Sequence, residues 1–76
     1  MPRYFFHICD DKGAIPDTEG LLLPNQEAAK REAEHSVRDL VAADIRYGRP
    51  VDDGRIEVMS DDGDLIAVYP FRDLLL

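Results

Sequence analysis

His7 and Cys9 stand two apart in the opening run Arg3–Cys9, with Asp10 and Asp11 directly behind them. Both residue types ligate zinc, and on a strand both would point to the same side. A stable site needs three or four ligands. The only other histidine, His35, falls on the polar side of a predicted helix. His7 and Cys9 therefore read as a histidine and a small apolar residue on an outer sheet face. No metal and no cofactor is expected.

Two acidic runs, Asp52-Asp53-Gly54 and Asp61-Asp62-Gly63-Asp64, invite comparison with calcium loops. An EF-hand loop needs alternating oxygen ligands, a central glycine and a terminal glutamate at fixed offsets, which neither run supplies. Asp and Gly tolerate turn angles, so both runs read as turns. Candidate nucleophiles are few: Cys9, Thr18, Ser36 and Ser60. His35 and Ser36 are neighbours, but on a helix they sit roughly 100° apart and do not face each other. No glycine-flanked strand-to-helix elbow is present. No catalytic residue is assigned, and the expectation is a protein that is not an enzyme.

The elements that must position these residues are legible. In Arg3–Cys9, Tyr4, Phe6 and Ile8 share one face, and Phe5, His7 and Cys9 the other. Asp10-Asp11-Lys12-Gly13 reads as a turn, and Asp17–Gly20 as another. Leu21–Leu23 reads as a short edge strand pairing with the first. A helix follows from Gln26 to about Tyr47, with Asn25 as its N-cap, Glu27 in its first turn, Gly48 just past its end and Pro50 beyond. Ala29, Ala33, Val37, Leu40 and Val41 form its apolar stripe. Glu27–Arg31 and Glu34–Arg38 are spaced as i,i+4 ion pairs on a solvated face. Asp44 lies near the centre of the apolar stripe. A helix of this length spans roughly 33 Å and a seven-residue strand only roughly 23 Å. The last turn should then overhang the sheet, leaving Asp44 solvated or paired with Arg49 or Arg55.

Arg55–Ser60 and Leu65–Phe71, joined by the acidic glycine-containing loop, read as a hairpin. Ile56 and Val58 are assigned to the inner face with Ile66 and Val68, although Leu65, Ala67, Tyr69 and Phe71 make an equally apolar face. The order β(β)αββ predicts a single α+β domain over residues 1–76, in which one long helix covers one face of a three- or four-stranded antiparallel sheet.

Composition sets the outer bounds. Apolar residues make up 45%, enough for a core and too many for a disordered chain. A lone cysteine forms no internal disulfide, so no covalent staple supports this small core. The net charge of −7 repels phosphate backbones and anionic lipid, so neither nucleic acid nor membrane is an expected partner. No run approaches the roughly 20 apolar residues of a bilayer span, and the expected location is cytoplasmic. The face opposite the helix, carrying Phe5, His7 and Cys9 with Met59 and Tyr69, is an aromatic patch unusual on a soluble monomer. A two-fold homodimer would bury it, unless Ala14–Pro24 or the tail Leu74-Leu75-Leu76 folds back over it.

The opening Pro2-Arg3-Tyr4-Phe5-Phe6-His7, the Asp17-Thr18-Glu19-Gly20 turn, the Glu27-Ala28-Ala29 helix start, Arg55-Ile56-Glu57-Val58 and Pro70-Phe71-Arg72-Asp73 together resemble a family of small bacterial proteins classed as a domain of unknown function. That resemblance covers nearly the whole chain and implies no activity. Asp10–Gly13, Gly20 and Glu27-Ala28-Ala29 also resemble the N-terminal domain of HicB-type antitoxins, which differs in carrying threonine where Asn25 caps the helix. It implies, as an alternative to a homodimeric interaction module, a regulatory module that binds a partner protein.

Overall fold

The computed structural model describes residues 1–49 and 53–75. Pro50, Asp52 and Leu76, which enter the sequence reading, lie outside the described residues. Five strands and one helix follow in the order β1 (Arg3–Asp10), β2 (Gly13–Ile15), β3 (Leu21–Leu22), α1 (Gln26–Arg46), β4 (Arg55–Ser60) and β5 (Leu65–Pro70), closed by a 3-10 turn at Phe71–Leu75. The sheet is antiparallel throughout and runs β2-β1-β4-β5, with β3 also paired to β1. The expected edge strand is present as β3. The additional strand β2 arises because Asp10 accepts from the backbone N–H groups of Lys12 (2.8 Å) and Gly13 (3.0 Å), which closes a tight hairpin.

Helix α1 begins and ends on local chemistry. Asn25 Oδ1 accepts from Ala28 N at 2.9 Å, satisfying one of the donors left free in the first turn. At the far end Gly48 takes φ +69°, and its N–H reaches Ile45 O while Arg49 N reaches Asp44 O. This is a Schellman ending, and glycine is the residue that enters the left-handed region without a Cβ penalty. Along the helix Glu27 pairs with Lys30, and His35 Nε2 lies 3.5 Å from Asp39, in place of the expected Glu27–Arg31 and Glu34–Arg38 pairs. Both lie at the solvated surface, where such pairs contribute little.

One face of α1, Ala29, Ala33, Val37 and Val41, is buried against β4 and β5. The two alanines, fully buried, let the helix approach the sheet closely. Ile56 and Val58 on β4 lie beneath it, with Tyr4 and Phe71 completing the core. Burying an aliphatic side chain of that size contributes about 1.5–3 kcal/mol. The last helical turn overhangs, as its length requires: Ile45 and Tyr47 are exposed. Asp44 pairs there with Arg49 at 3.0 Å, one of the solutions open to it from the sequence.

Strand β5 corrects one assignment. Tyr69 pairs with Ile56 and Ala67 with Val58, so both face the helix. Burial raises the Tyr69 hydroxyl pKa, and Glu34 and Glu27 of the helix raise it further. Tyr69 therefore does not belong to the outer set. Val68, assigned inward from sequence, points outward and is exposed. The cause is a register shift between Val58 and Met59, where Met59 pairs with Leu65 and leaves Ile66 as the extra residue. The bulge separates two residues that strict alternation would keep together, and Ile66 packs against the core.

Candidate functional site

The candidate region is the sheet face away from the helix, together with the segment that partly covers it. Register places Phe5, His7, Cys9, Arg55, Glu57, Met59, Leu65 and Val68 on that face. Phe5 and His7 are half-buried, and their rings stack with centroids 6.3 Å apart. Cys9 is buried between its register partners Arg55 and Ala14. Burial pushes its thiol pKa up, Glu57 adds to the rise and Arg55 opposes it. A thiol shifted upward is a poor nucleophile and a poor ligand. Arg55 and Glu57 close an ion pair of 2.8 Å on the same face. Met59 is half-buried, while Leu65 and Val68 are exposed.

The segment between β2 and β3 is organised by Asp17. Strand β1 directs the N–H groups of Tyr4, Phe6, Ile8 and Asp10 toward one edge, by the alternation of an antiparallel ladder. β3 lies opposite Tyr4, and β2 opposite Ile8 and Asp10. Phe6 falls in the gap between them. Asp17 Oδ2 fills that gap, accepting from Phe6 N at 3.1 Å. Its other oxygen accepts from Glu19 N (3.2 Å) and Gly20 N (3.0 Å). Asp17 N donates in turn to His7 Nδ1 at 3.0 Å. Arg3 donates to Glu19 O at 2.6 Å. Partial burial raises the Asp17 pKa, but the three backbone donors and the nearby His7 outweigh it, and the net shift is downward.

Gly20 completes this clasp. It takes φ +69°, and a Cβ there would lie 2.8 Å from Tyr4 O, 2.8 Å from Arg3 Cγ and 3.0 Å from Phe5 Cε1. The chain can press against β1 only without a side chain at this point. The Ala14–Pro24 segment thus covers the Phe5–His7 end of the outer face and leaves the Leu65–Val68 end open.

The other candidates stay apart. Among the described residues no three His, Cys, Asp or Glu side chains group to hold a metal ion. His35 lies on the exposed helix face beside Asp39. A shallow hollow of about 170 Å³ is lined by Asp10, Asp11, Lys12 and Asp53. Asp61-Asp62-Gly63-Asp64 is a turn, with Gly63 at φ +88°, Ser60 N donating to Asp64 O and Gly63 N to Ser60 O. No helix among the described residues is long and apolar enough to cross a membrane. Sequence reasoning treated Asp17 and Gly20 as a plain turn. Their Asp-x-x-Gly spacing was visible, but the distant partners Phe6 and His7 were not.

These features define a one-helix α+β domain with a clasped strap over one sheet edge and an open apolar surface at the other. No curated protein and no solved structure matches the chain significantly. The chain belongs to the family DUF6894, a domain of unknown function, whose family model matches residues 3–72.

Proposed function

We propose that this domain is a non-enzymatic interaction module that works as a homodimer, using the sheet face away from the helix. The observation that carries this reading is the exposure of Leu65 (56%) and Val68 (41%) beside half-buried Met59 on a face the helix leaves uncovered. Leu22, exposed and paired with Arg3, extends the same face beyond the strap. Apolar residues grouped in this way favour association. A core this small gains support from a second copy. The raised thiol pKa of Cys9 and the structural use of His7 and Asp17 speak against a catalytic role for these three residues.

Light scattering at micromolar concentration tests the reading. The expected result is twice the chain mass of 8.6 kDa, falling to one chain mass for Val68→Glu. A monomer for the unmutated chain would overturn it. The net charge of −7 favours a second reading, in which a basic protein occupies the same surface as in an antitoxin-like module. Recovery of a stoichiometric basic partner from the native cell, with the free chain monomeric, would select that alternative.

A further inference from the structure

The two edges of the sheet differ in how their main-chain groups are used. Phe6 directs its N–H away from β4, so Phe6 and Val58 form a pair that exchanges no hydrogen bonds. By the same alternation Val58 exchanges bonds with Ala67, and Glu57 opposite Val68 does not. Val68 therefore turns its N–H and C=O to the far side of β5, where β5 has no strand partner among the described residues. Pro70 has the same parity as Val68, and proline is tolerated there because no donor is required of it.

We propose that a second copy of this chain pairs with that edge, β5 against β5 in antiparallel register about a two-fold axis at Val68. This rests on the homodimer reading and places its contact at the β5 border of that outer face. Val68 exchanges both main-chain hydrogen bonds with Val68 of the partner subunit. Its exposed side chain, on the outer face, meets its own symmetry mate.

The charges at the two ends of the strand are complementary. The register that centres Val68 sets Ile66 opposite the partner's Pro70. It also brings the Asp61–Asp64 loop toward the partner's Arg72, an exposed residue just after β5 that pairs with Asp53 of its own chain and keeps donors for a second carboxylate. Both contacts occur twice by symmetry. An acidic chain gains from that match because the rest of its charge is repulsive.

The other edge explains why assembly stops at two chains. β2, β3 and the Asp17 carboxylate already occupy the outward groups of β1. A sheet with one closed edge adds one partner and closes, instead of growing into a fibre. Pro70 keeps the shared ladder short.

The test combines light scattering with amide exchange on the full chain. Val68→Pro removes the one donor the pairing needs and uses a position with no ladder bond inside the monomer. The expected result is a shift from twice 8.6 kDa to 8.6 kDa, with an unchanged circular dichroism spectrum. Arg72→Asp should weaken the dimer about tenfold or more, whereas Asp53→Ala, which removes only the pair Arg72 makes inside its own chain, should leave it intact. Adding Asp64→Arg to Arg72→Asp should restore the dimer. The Val68 amide should be protected from exchange in the dimer and exchange freely in Val68→Pro-independent monomers such as Arg72→Asp at low concentration. A dimer that survives both Val68→Pro and Arg72→Asp but is split by Met59→Glu would overturn the edge contact and leave the homodimer standing. A monomer for the unmutated chain at micromolar concentration would remove both.

Discussion

The β1 edge and the β5 edge of one sheet meet the same physical problem in opposite ways. A row of outward main-chain groups invites pairing with another chain. At β1 the row is consumed within the molecule by two short strands and one carboxylate, Asp17, set between them. At β5, among the described residues, only Pro70 blunts the row, and Val68 remains available. A small domain can therefore leave one edge for assembly and close the other with a strap of a few residues. The difference also explains why the Phe5–His7 end of the outer face is half-covered while the Leu65–Val68 end is exposed.

The comparison predicts unequal costs for damage at the two edges. Asp17→Ala should destabilise most, by about 2–3 kcal/mol, because one side chain satisfies three backbone donors and Phe6 N has no other partner at hand. Urea unfolding reads the loss, and amide exchange should show Phe6 N–H newly exposed. A loss below about 0.5 kcal/mol would mean that the strap is not clasped by Asp17.

Gly20→Ala should cost about 2 kcal/mol, since the added Cβ meets the Tyr4 carbonyl at 2.8 Å from a left-handed backbone. The partner at fault is backbone, which cannot swing away. Thermal unfolding measures this. An unchanged midpoint would show that the strap sits farther from β1.

Acid should loosen the closed edge first. The folded-state pKa of Asp17 is depressed, so its stabilisation is present at neutral pH. It should fade as pH falls below the ordinary aspartate value near about 4 and through the lower folded value. Asp17→Asn should flatten that part of the stability–pH curve. A curve of the same slope in both proteins would remove Asp17 as the source.

At the open edge, Val68→Lys should change monomer stability by less than about 0.5 kcal/mol, as expected for an exposed side chain. Asp44→Ala, on the overhanging helical turn, should cost less than about 1 kcal/mol because its partner Arg49 is itself exposed. Chemical denaturation of both variants supplies the check. A loss of about 3 kcal/mol or more at Asp44 would indicate a buried pair, and the same loss at Val68 would place that strand inside the core.

By itself the sequence determined what depends on near neighbours. Asn25 and Gly48 set the limits of the helix through bonds to residues three positions away, and the spacing of Ala29, Ala33, Val37 and Val41 named its buried face. The Asp-Gly loop announced the last hairpin. Tertiary structure alone decided the matters that need a distant partner. Strand β5 is apolar on both faces, so period-two alternation gave no direction, and pairing with β4 through a bulge turned Tyr69 in and Val68 out. Asp17 looked like a turn residue because the main-chain gap it fills, at Phe6, exists only once β2 and β3 have taken their places along β1.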